Sequence, residues 1–188
     1  NAGKAFGSQA WGQQLGTDTY PVLGSEYKII KSAKGDKDAN NNDTYWATFS
    51  NLKSDATLSV PSDRTLKVYN ATVSEGRLSL SERTYNQVAK GEGVLLKTDK
   101  EYVNAKANAT DGLTAVDYAY NNLVATPAKE ETINAETGYK LYRLTYNNST
   151  EKTGLGFYLG LVKNANGTVA SSDGSQLKAT PGKAYLNV

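Results

Sequence analysis

Residues 88–97 read VAKGEGVLLK, two glycines around an acid with three large apolar residues close behind. A phosphate-holding loop needs glycine-rich backbone leading into a helix N-terminus, with a Lys or Ser/Thr at fixed spacing. Here Gly91-Glu92-Gly93 leads into Val94-Leu95-Leu96, a run too short and too uniformly apolar for an amphipathic helix. Glu92 also sets a negative charge where a phosphate would sit. The stretch is therefore a turn feeding a buried strand. Glu92 reads as a turn acid in solvent, and its replacement by Gln is expected to be silent.

Strand patterns flank that turn on both sides. TYWATFS (44–50) is aromatic and β-branched, and RLSLS (77–81) alternates with Leu78 and Leu80 expected inward. In TLKVYNATV (65–73) the apolar phase moves from Leu66 and Val68 to Tyr69, Ala71 and Val73, which predicts a bulge near Tyr69-Asn70. Ser74-Glu75-Gly76 between these runs predicts a tight hairpin, with Gly where a left-handed residue is wanted. Further on, YKLYRLTY (139–146), GLGFYLGLV (154–162) and KAYLNV (183–188) continue the theme. Glycines alternating along one strand face predict a close neighbour there. The one helical signal is TPAKEETINAETG (126–138), where Pro127 could start a short helical turn. These patterns predict an all-β fold, an antiparallel β-sandwich or roll with long loops.

Composition narrows the class. The 188 residues contain no Cys, His or Met, but 13 Tyr and 17 Gly. Disulfides, thiolate or imidazole metal sites and a standard Ser-His-Asp triad are thereby excluded. The formal charge is +2 and the charges of both signs are dispersed, so no nucleic-acid footprint is present. No apolar stretch reaches the length of a membrane span. The profile is that of an extracellular β protein. Because the chain opens on Asn1 without an initiator Met, it is expected to be a mature protein or a fragment cut from a longer one, with fragment the preferred reading.

The first part of the chain differs from the rest. WGQQLGTDTYPVLG (11–24) is punctuated by glycine and precedes one strand, EYKIIK (26–31). SAKGDKDANNND (32–43) carries no large apolar side chain. The expected division is a terminal segment of a preceding repeat or a packed N-terminal extension (1–32), a linker or exposed loop (33–43) and an antiparallel β module (44–188).

Several segments, in order, resemble a module of large secreted and cell-surface proteins of Bacteroidetes, often found C-terminal to leucine-rich or similar repeats. They are YWATFS, VPSDRTLKVYNATVSEGRLSLSE, VAKGEGVLLK, GLGFYLG and ATPGKAYLNV. WGQQLGTDTYPVLG resembles the segment that often precedes that module. The match covers most of residues 1–97 and 138–188. Ala89 departs from it, since the family usually has Pro there, and NANGTVASSDGSQ (164–176) is a longer insert. The shared residues define a fold, so the resemblance implies architecture and an outer-surface location more than chemistry.

Candidate sites are few. Asp36, Asp38, Asn40 and Asn42 alternate as in a calcium loop, but an EF-hand wants Gly at Asn41 and Glu at Ala47. They read as a solvated loop, and no metal or cofactor is expected. Asp99, Glu101, Glu130, Glu131 and Asp173 could be recruited as a glycosidase pair, which needs two carboxylates roughly 5–9 Å apart in a cleft. Surface charge is their default reading. Tyr118 and Tyr120, in VDYAYNN, share a face if extended and form the candidate ligand surface. The expectation is a non-catalytic extracellular surface module, structural or adhesive, acting by presentation, anchoring, or binding of a host or dietary glycan or a surface protein. The alternative is a glycan-active enzyme or its carbohydrate-binding module.

Overall fold

A computed structural model of the chain describes residues 11–12, 22–23, 27–51, 54–110, 113, 120–149 and 153–188. The first strands are β1 (Trp11–Gly12), β2 (Val22–Leu23), β3 (Tyr27–Lys31), β4 (Ala33–Lys34), β5 (Tyr45–Ser50), β6 (Ala56–Ser59), β7 (Leu66–Ser74), β8 (Arg77–Glu82), β9 (Gln87–Val88), β10 (Gly93–Thr98) and β11 (Tyr102–Ala109). After them come β12 (Leu123–Ala125), β13 (Glu131–Asn134), β14 (Leu141–Asn148), β15 (Thr153–Leu159), β16 (Val162–Lys163), β17 (Val169–Ser171), β18 (Gln176–Ala179) and β19 (Ala184–Asn187). The chain is all-β, as its alternating runs predict, and the strand ladders are antiparallel.

Three sheets stack. The middle one has five strands in the order β4-β5-β10-β7-β8, so the strand fed by Gly91-Glu92-Gly93 lies at its centre. Strand β10 pairs with β5 from Gly93↔Ser50 to Thr98↔Tyr45, and with β7 from Leu95↔Tyr69 to Thr98↔Leu66. Successive side chains leave a strand on opposite faces, and here both faces are covered. Val94 and Leu96 join Ala47, Phe49, Leu66 and Val68 against the sheet β3-β11-β6-β9, which contributes Ile30, Leu58, Val88 and Ala105. Leu95 points the other way, joining Ala71, Leu123, Ala184 and Leu186 beneath the sheet β12-β19-β14-β15. Beyond it, the pair β13-β18 closes a small cluster of Leu141, Leu177 and Tyr185 with Ile133. The N-terminal strands belong to these layers too: β3 pairs with β11 and β4 with β5.

This layering explains the moving phase of 65–73. No bulge is present, and β7 pairs with β8 in unbroken register from Tyr69↔Glu82 to Ser74↔Arg77. Leu66 and Val68 face one neighbouring sheet, while Tyr69, Ala71 and Val73 face the other. The phase changes because a different face is covered in each half. The hairpin forms as expected, with Glu75 and Gly76 both at positive φ (51° and 73°), the pair of left-handed residues that a two-residue turn matched to strand twist requires.

Two other expectations fail. Leu78 and Leu80 are 45% and 39% exposed rather than inward. Strand β8 is the sheet edge, and these leucines border an open apolar slot of about 310 Å³ shared with Trp46, Leu155 and Phe157. Residues 126–138 form no helical turn. Thr132 and Ile133 are β-branched and sit in β13, paired with Lys178 and Leu177.

Gly93 has a packing reason to be Gly. A Cβ there would lie 2.7 Å from the Ala184 Cβ and 2.8 Å from the Val124 backbone carbon. Those atoms belong to β19 and β12, so the glycine lets the third sheet close onto the second. Gly93→Ala is expected to lower the unfolding free energy by about 1–3 kcal/mol, the usual cost of overpacking. Urea unfolding of the variant beside wild type measures it, and an unchanged midpoint would refute the close approach.

Candidate functional site

Beyond Tyr69, β7 leaves β10 and needs new partners for its backbone, because buried N–H and C=O groups are costly to leave unpaired. Two asparagines supply them. Asn121 Oδ1 accepts from the Ala71 N–H (3.2 Å) and the Leu123 N–H (3.2 Å). Asn122 Oδ1 accepts from the Val73 N–H (2.7 Å), and the Asn122 N–H donates to the Ala71 carbonyl (2.7 Å). Asn121 and Asn122 are thus fixed along the second half of β7.

Beneath it lies an ion pair. Arg83 and Glu92 have side chains only 7% and 9% exposed, and the guanidinium bonds both carboxylate oxygens. Arg83 also donates to Asn70 Oδ1 (2.6 Å) and to the Gln87 carbonyl (2.9 Å). Glu92 accepts in addition from the Ala89 N–H (3.1 Å) and from Asn121 Nδ2 (3.3 Å), which also donates to the Gly93 carbonyl (2.8 Å). The expectation that Glu92 is a silent turn acid is therefore wrong. Gly91 makes the turn with a φ of +75°, and the carboxylate then turns inward to Arg83. No sequence signal marks the pair, since Arg83 sits in a polar run and the partners are nine positions apart.

Over this network opens a polar groove of about 820 Å³, bordered by Asn70, Ser81, Glu82, Arg83, Tyr120 and Asn121. Tyr120 stands at it with 79% of its surface exposed. Tyr118 lies outside the described residues. A second aromatic was missed by sequence reasoning. Tyr85 follows groove residue Thr84 in a short 3-10 turn, is 77% exposed and has φ +62°. A left-handed conformation is strained for an aromatic residue, and strained residues concentrate at functional sites. The polar run SERTYNQ (81–87) was the only hint of it in the sequence.

The remaining candidates serve local structure. Asp38 Oδ1 accepts from the Asn40 and Asn42 N–H groups (both 2.9 Å), and these bonds hold its carboxyl below the usual carboxylate range. Its lone pairs close a turn. Asp173 does the same for Ser175 and Ser171, which depress its pKa strongly. Asp99 accepts from the Thr65 N–H (3.0 Å) and Glu130 pairs with Lys178 (2.5 Å). Glu131 begins β13, and the Tyr102 hydroxyl, followed by the Glu101 charge, raises the pKa of Lys31. Among the described residues no three or more of His, Cys, Asp and Glu come together as a metal site. No helix there is long and apolar enough to cross a membrane. Trp46 is partly buried against Tyr69, ring centroids 5.6 Å apart, with the Lys97 ammonium 5.4 Å from its ring.

Comparison with family models, with curated proteins and with solved structures finds no match.

Proposed function

We propose that this chain is a non-catalytic module of an extracellular or outer-cell-surface protein, and that it binds a glycan in the groove beside Tyr120. One observation carries the reading: a phenol ring 79% exposed at a wide polar groove whose walls are held by hydrogen bonds. Tyr offers a sugar ring an apolar face and a polar tip at low entropic cost. The carboxamides and hydroxyls around it suit hydroxyl-rich ligands. A groove already fixed by its own bonds loses little freedom on binding, which favours affinity. The resemblance to Bacteroidetes surface modules supports the location. The acids Asp38, Asp99, Glu130 and Asp173, each engaged in its own turn or ion pair, support a binding role over hydrolysis.

Screening the purified chain against a panel of bacterial, host and plant glycans tests this. Tyr120→Ala is expected to weaken the best ligand by about 1 kcal/mol or more, roughly fivefold. An unchanged affinity places the ligand elsewhere. Release of reducing sugar, abolished by one acid substitution, would move the chain to the glycan-active enzymes.

A further inference from the structure

On another side of the molecule a cavity of about 290 Å³ opens between β5 and the strands β14, β18 and β19. Four cations border it, Lys31, Arg143, Lys178 and Lys183, and among the described residues no carboxylate does. Lys178 shares its charge with exposed Glu130, and Lys31 sits 5.4 Å from the Tyr102 ring. Lys183 is different. It is partly buried, makes no ion pair among the described residues, and burial alone lowers its pKa. Its backbone is clamped to Thr126, whose hydroxyl accepts from the Lys183 N–H (3.1 Å) and donates to the Lys183 carbonyl (2.9 Å). Thr145 and Thr180 bring hydroxyls to the same wall, and neither hydroxyl is engaged elsewhere among the described residues.

A buried charge is normally paired, and a partly buried ammonium in a cavity that other cations also border is incomplete by itself. Low polarity strengthens its attraction for an anion, and here the wall adds Trp46 and the nearly buried Tyr185. We propose that this cavity binds a tetrahedral oxyanion, a sulfate or phosphate group free or carried as a monoester, with Lys183 as its central cation. Arg143 supplies a planar fork for two of the oxygens, and the threonine hydroxyls donate to the others. At 290 Å³ the space takes the anion and part of whatever bears it. This site is separate from the Tyr120 groove, so either can fail without the other.

Calorimetric titration and thermal unfolding with inorganic sulfate, phosphate, glucose 6-sulfate and glucose, at constant ionic strength, test the site. The expected result is saturable binding of an oxyanion, none of glucose, and a rise in Tm that saturates with the anion. Lys183→Met keeps the stem and removes the charge, and should weaken binding at least tenfold. Arg143→Gln, at an exposed position, should weaken it several-fold and gives the same readout if Lys183→Met fails to fold. Lys163→Gln, equal in net charge change and not among the residues that line the cavity, should bind as wild type does. Binding of glucose 6-sulfate as tightly as of free sulfate identifies an ester as the natural form, and binding of the free anions alone identifies those. Absence of oxyanion binding, an undiminished response in a folded Lys183→Met or Arg143→Gln, or an equal loss in Lys163→Gln overturns the proposal.

Discussion

Glu92→Leu should lower the stability of this protein by about 3–5 kcal/mol, the cost of stranding one partner of a buried ion pair. Arg83 would then keep its bonds to Asn70 and Gln87 but lose both bonds to the Glu92 carboxylate. With small domains stable by only about 5–15 kcal/mol, such a loss is large. The double variant Arg83→Met/Glu92→Leu should recover much of it, because a buried pair replaced by apolar groups of similar volume often costs little. Guanidinium unfolding of the two single variants and the double one closes the cycle. Glu82→Gln, which breaks the exposed pair with Lys67, should pass almost unnoticed, since solvent screens such pairs. A Glu92→Leu midpoint equal to wild type would remove Arg83–Glu92 as a structural element.

Leu96→Asp should prevent folding altogether. Leu96 is 0% exposed at the centre of the middle sheet, within an apolar cluster that includes Ala47, Val68 and Val94. An unpaired buried charge costs several kcal/mol on top of the lost apolar burial. Leu80→Asp, by contrast, should fold, because that residue is 39% exposed on the edge strand. Circular dichroism and cooperative unfolding compare the two. A soluble Leu96→Asp with a wild-type midpoint would place β10 outside the core.

Leu96 lies in an unbroken apolar run and Leu80 in an alternating one, yet both were expected inward, and that shows where reading from sequence stops. Alternation reveals that a strand has an apolar face, which is why β7, β14 and β15 were legible, while β10 was legible from its continuous apolar run. It does not reveal whether the strand is central or at an edge, since that depends on which distant segment arrives. The same limit turned the two-sided burial of β7 into an expected bulge. Pro127 suggested a helical start because Pro suits a first helical turn, yet Ile133 and Thr132 found a partner in β18. In the site, Tyr120 was legible as an aromatic in a polar run. The Arg83–Glu92 pair was not, because an acid between two glycines reads equally well as an exposed turn residue.

The close fit of Gly93 against Ala184 also has a consequence in time. Residues 27–109 supply two of the three sheets, and they emerge from the ribosome well before β19 exists. Until then the second face of the middle sheet, with Tyr69, Ala71 and Leu95, has no cover. Pairings this distant in sequence are slow to form, because the intervening loop must close first. The nascent chain therefore passes through a half-built stage with a bare aromatic and aliphatic surface.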